Sequence, residues 1–88
     1  MKVQSTLMLN GVPRSGRTSP DRSMLFVALG GSDWPPKGSG AVIIGGDPPK
    51  IIASVPTGKG AVAVAVSKDG SRAAVASYYD RSITILEQ

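Results

Sequence analysis

Eighty-eight residues allow one small domain, and a chain without Cys or His has no disulfides, no thiol chemistry, and neither the commonest general base nor the commonest metal ligand. Ten Lys and Arg against six Asp and Glu give a net charge of +4. The basic residues are scattered from position 2 to position 81 without a run, the pattern of a solvated surface, so nucleic acid is not an expected partner.

The chain reads as a series of short strands. Residues 3–9 (VQSTLML) form the first, closed by Asn10-Gly11. This stretch is too short and too polar for a signal peptide core or a membrane span, so no transmembrane segment is expected, and the compartment is left open. Residues 12–18 (VPRSGRT) are irregular by composition, and Ser19-Pro20-Asp21 is a turn. Residues 24–29 (MLFVAL) form a buried strand, and residues 30–40 (GGSDWPPKGSG) a loop that Pro and Gly keep irregular. Residues 41–44 and 50–55 (KIIASV) are strands on either side of the turn Gly45-Gly46-Asp47-Pro48-Pro49. Three more follow at residues 61–66, 72–77 and 82–86. Lys68-Asp69-Gly70 and Tyr79-Asp80-Arg81 separate them, so the last third reads as an antiparallel meander.

The chain also repeats itself. Ser19-Pro20-Asp21-Arg22-Ser23 matches Ser67-Lys68-Asp69-Gly70-Ser71 at an offset of 48 (67 − 19). The same offset places Phe26-Val27-Ala28 on Ala74-Val75-Ala76, and residues 3–9 on residues 51–57. Beyond the Trp34 loop the offset falls to 42 (83 − 41), so the first copy carries six extra residues near 33–38, where a surface loop tolerates insertion. A period in the forties with four short strands per unit is the signature of a β-propeller blade. The expected fold is therefore all-β, with antiparallel four-stranded blades. The chain holds about two, a degenerate first repeat over residues 1–49 and a second over residues 50–88, and is incomplete as a ring.

Residues 51–86, IIASVPTGKGAVAVAVSKDGSRAAVASYYDRSITIL, resemble a YVTN-type β-propeller repeat. The likeness lies in an apolar strand ending at Pro and Gly, an alternating Val strand, Ser-x-Asp-Gly, and two further strands. Ala74-Val75-Ala76-Ser77 stands where the tetrad would be, with only the Val in common. The resemblance implies that residues 61–66 are a blade's innermost strand and that the outermost strand of the same blade is missing. Residues 3–9 are a strand of that outermost type. It implies partners that are other propeller blades, from further copies or a longer parent chain, and proteins that are often exported or at the cell surface. It also implies two classes of role. The favoured one is a non-catalytic scaffold or binding module; the alternative is an incomplete piece of a lactonase-type propeller enzyme, for which no residue maps by position. A remnant chain without a role of its own is a third reading.

No catalytic, cofactor-binding or metal-binding residues are identified, and no cofactor is expected. Residues 11–18 (GVPRSGRT) come close to the phosphate loop G-x-x-x-x-G-K-[ST], but Arg17 stands for the Lys, Pro13 removes a donor, and a turn follows where a helix should start. A polar connection is the favoured reading. Ser19-x-Asp21 and Ser67-x-Asp69 are better read as self-capping turns than as calcium ligands. The candidate contact residues are Trp34 on its Pro/Gly loop, Tyr78 and Tyr79 at a strand end, and Arg14 and Arg17. Aromatics supply large contact area at low entropy cost, with a loop anchor as the equal alternative for Trp34; Arg14 and Arg17, with Arg22, are a modest basic cluster for a protein or small anionic ligand, and exposed turn charges are the favoured reading of it.

Overall fold

The computed structural model describes residues 3, 6–9, 11–30 and 39–87. Among these residues the regular structure is seven strands: β1 (Val12–Thr18), β2 (Met24–Gly30), β3 (Gly40–Gly45), β4 (Lys50–Val55), β5 (Ala61–Val66), β6 (Arg72–Ser77) and β7 (Ser82–Glu87). They form two antiparallel meanders, a four-stranded sheet in the order β1-β2-β3-β4 and a three-stranded sheet in the order β5-β6-β7. The chain is all-β, and its last five strands lie within a residue of where the apolar runs place them.

Two expectations are corrected. Residues 12–18 are not irregular: they form β1, paired along their length with β2. Pro13 is tolerated because β1 is an edge strand and its register shifts between Pro13 and Ser15, and a proline that cannot donate to a ladder fits at such a bulge. Residues 3 and 6–9, read as a strand, pair into neither sheet. Leu9 instead packs on one face of the first sheet, while Val3 and Met8 are exposed. Burying Leu9 gains apolar contact where a short unpaired strand would gain none.

The repeated turns have the same construction. Ser19 Oγ donates to Asp21 Oδ1 at 2.7 Å, the Ser23 amide donates to the same oxygen at 2.9 Å, and the Met24 amide donates to Ser19 Oγ at 3.1 Å. In the second turn Ser67 Oγ, the Ser71 amide and the Arg72 amide repeat these bonds at 2.8, 3.0 and 3.1 Å. Arg22 and Gly70 occupy the same place with φ of 63° and 77°. The bulges correspond as well: β1 shifts register between Pro13 and Ser15, β5 between Ala61 and Ala63. Both pairs are 48 residues apart, so the sequence offset reappears in local backbone geometry.

Period-two alternation decides which residues meet. Phe26, Ala28 and Ala41 of the first sheet pack against Ala61, Val64, Ala73 and Val75 of the second in one core. Val27, Leu29 and Val42 face the other way and are buried with Leu9, Leu25 and Ile44. Each buried Val, Leu or Phe contributes roughly 1.5–3 kcal/mol relative to exposure, and each cluster holds three such side chains, the first of them joining the two sheets. The sheets approach most closely where β5 lies against β1 and β2. Farther out, Ile43, Ala53 and Val55 face Ala73 and Leu86 across a cleft of about 360 Å³ beside β7.

Candidate functional site

At the end of the molecule where β1, β2 and β5 converge, a second cleft of about 200 Å³ is lined by Arg14, Gly30, Gly60, Ala61, Val62, Tyr78 and Tyr79. Three of the five candidate contact residues meet here, Arg14 from β1 and Tyr78 and Tyr79 from the turn after β6. Arg17 does not: it lies farther along β1, exposed, with Nη1 donating to the carbonyl oxygen of Gly16 at 2.9 Å. Trp34 lies outside the described residues.

The backbone builds this cleft from two matched irregularities. Pro13 pairs with Leu29 and Ser15 with Ala28, so Arg14 is the extra residue of the β1 bulge. Ala61 pairs with Ser77 and Ala63 with Ala76, so Val62 is the extra residue of the β5 bulge. A bulge turns its extra side chain out of the strand's alternation, and here both turn into the same opening.

Two glycines make room for the larger side chains. A Cβ on Gly30 would lie 2.8 Å from Arg14 Nε and 3.1 Å from the Ala61 carbonyl oxygen, so the arginine side chain lies flat across this residue. Gly60 has a φ of +73°, and a Cβ there would run into the ring of Tyr79. The Tyr79 amide donates to the Lys59 carbonyl at 3.2 Å and the Tyr78 amide to the Gly60 carbonyl at 2.9 Å, which ties the tyrosine turn to the start of β5. Asp80 Oδ2 accepts from the Lys59 amide at 2.9 Å, and Ser39 Oγ accepts from the Gly60 amide at 2.9 Å. The tyrosine rings stand edge to face, centroids 5.4 Å apart and planes at 88°, a favourable aromatic arrangement.

Arg14 is exposed and makes no ion pair with the described residues, while Asp80, next to Tyr79 in the chain, accepts from the Lys59 amide beside Gly60. Arg72 Nε and Glu87 Oε2 pair at 3.2 Å on the open surface. Asp21 and Asp69 flank a small hollow between the two repeated turns, but each carboxylate is spent on its own turn. The Ser23 amide, then the Ser19 and Ser23 hydroxyls, hold Asp21 down at a pKa of about 2. The Ser71 amide, then the Ser71 and Ser67 hydroxyls, do the same for Asp69, also to about 2. Among the described residues no group of three or more acidic side chains is placed to hold a metal ion. The residues resembling a phosphate loop lie in β1, their backbone extended along β2, with the turn at Ser19 and no helix behind them. That geometry offers no cradle of free amides.

Sequence reasoning did not find Gly30, Gly60 or Val62. The repeat gives no signal for them: the offset of 48 sets Arg14 on Val62 and Gly30 on Tyr78, but the two copies differ at most aligned positions, not only at this cleft. No helix among the described residues is long and apolar enough to cross a membrane. Comparison of the chain with protein families, curated proteins and solved structures finds no match.

Proposed function

We propose that the chain is a non-catalytic scaffold or binding module of the β-propeller type, two blades long, that serves as a building block of a larger propeller. Other copies, or blades of a longer parent chain, are its partners, and the YVTN-type resemblance belongs to the same reading. The shared turns, the shared bulges and the two meanders support it. The observation that carries it is a bare apolar sheet face. Ala63, Ala65, Ala74, Ala76, Ile83 and Ile85 share the outward side of the second sheet, with Ile83 63% and Ile85 59% exposed. Through the repeat offsets, Ala74, Ala76, Ile83 and Ile85 are the counterparts of Phe26, Ala28, Ala41 and Ile43. Those four pair across β2 and β3, and their side of the first sheet is the one pressed on the second. The second sheet therefore has the same kind of contact face with no sheet upon it, and exposed apolar faces of this kind mark association.

The test is a solution mass. Light scattering or sedimentation on the full chain, at hundreds of micromolar, should give a mass above the 9.0 kDa of one chain together with a β-type circular dichroism spectrum. High concentration is needed because six mostly small side chains bury far less than the roughly 800 Å² per partner of a standard interface. The double variant Ile83→Lys, Ile85→Lys should keep the spectrum and return the mass to one chain. A folded wild-type chain that stays monomeric throughout would sink assembly from copies.

A further inference from the structure

We propose that the 200 Å³ cleft between the two bulges binds a small planar anion, a carboxylate carried on a single unsaturated or aromatic ring. The inference concerns the binding half of the reading above and rests on it. Occupancy is read by titration and assembly by mass, so the two fail separately.

Four observations converge on this ligand. First, the cleft's cation is an arginine, a planar fork of donors that matches a carboxylate bidentately, and Arg14 has no acidic partner among the described residues. Second, the other large walls are the rings of Tyr78 and Tyr79, set edge to face, with Val62 and Ala61 completing an apolar lining. A flat unsaturated body fits such walls, whereas a fully hydrated compact anion would leave them uncovered. Third, the site is shaped by backbone rather than by chance exposure. The two extra residues of the matched bulges are the arginine and the valine that enter it, and the two large side chains lie over Gly30 and Gly60, where a Cβ would displace them. Fourth, the volume of about 200 Å³ has room for one ring with one charged substituent.

Benzoate is the probe, titrated into ¹⁵N-labelled full-length protein and followed by amide and Arg Nε chemical shifts. Benzyl alcohol (ring without charge) and acetate (charge without ring) are run beside it. The expected result is saturable shifts at Gly30, Gly60, Val62, Tyr78 and the Arg14 Nε, with a Kd on the order of 1 mM for a ligand of this size. Both comparison compounds should bind at least tenfold more weakly. Arg14→Gln should abolish saturation, Arg14→Lys should weaken it several-fold, and Tyr78→Ala should weaken it while leaving the β spectrum unchanged. Arg14 and Tyr78 are exposed at a sheet margin, and the lysine variant keeps charge and stem, so loss of binding there is not loss of fold. Three outcomes overturn the proposal: no saturation at tens of millimolar benzoate, equal response to acetate, or an unaltered titration in Arg14→Gln.

Discussion

Asp21 and Asp69 show how much one exposed carboxylate can organise. Each accepts three hydrogen bonds within five residues of chain, so the charged form is favoured and its pKa drops from an ordinary 3.8 to about 2. A carboxylate with a depressed folded-state pKa adds stability above its unfolded value, and that contribution is lost as pH falls towards the folded one. The melting temperature should therefore fall as pH is lowered from about 5 to about 2, and the double variant Asp21→Asn, Asp69→Asn should flatten that part of the curve in circular dichroism melts. One residue on, the repeats differ in cost. Arg22 holds a φ of 63° with a side chain, while Gly70 holds 77° without one. Arg22→Gly should raise stability by about 0.5–1 kcal/mol, read as a higher denaturant midpoint at unchanged slope. Elsewhere a polar residue has no such employment: Ser77 and Ser82 face each other across β6 and β7, their hydroxyls buried without a hydrogen-bond partner among the described residues.

At the scale of elements, the β1 and β5 bulges and the tyrosine turn form one unit. Gly60 links them, since its positive φ and missing Cβ let the Tyr79 ring lie against the backbone. Gly60→Ala should cost about 1–3 kcal/mol in urea unfolding and move the Tyr79 ring resonances; a neutral variant would mean that the turn repacks. The sequence made most strands legible because their apolar runs end at Gly, Pro or Asp, which stop a ladder for stated steric reasons. It hid β1 because Pro13 and Gly16 are poor strand formers, and an edge position with a bulge overrides that preference. It suggested a strand at residues 3–9 from a short apolar stretch closed by Asn10-Gly11, but residues 3 and 6–9 find no partner strand. Arg14, Tyr78 and Tyr79 were legible as residue types suited to contact. Their meeting was not, because it depends on which extra residue each bulge ejects, a property of register rather than composition.

For the whole molecule, the two sheets divide the labour of burial unequally. The first has apolar side chains inside on both faces, while the second has them inside on one and in solvent on the other. The unbroken apolar runs of such strands announce that both sides are apolar, but not which side finds cover, since that depends on the rest of the chain. The solution mass and the Ile83→Lys, Ile85→Lys variant test this at its own scale: fold retained, association lost.

The covered face has a consequence for the geometry of any stack. Val27 and Val42 are 7% and 4% exposed, with Leu9 lying on them, so the molecule has a finished end and an unfinished one. Identical units with one unfinished end add a neighbour there and nowhere else. Two copies meeting end to end would then terminate each other, whereas a ring or an open filament requires Leu9 to be lifted from its seat in every member. Release of Leu9 is thereby the step that opens the first sheet to a neighbour, and the larger propeller proposed above needs that step wherever a copy docks on this face.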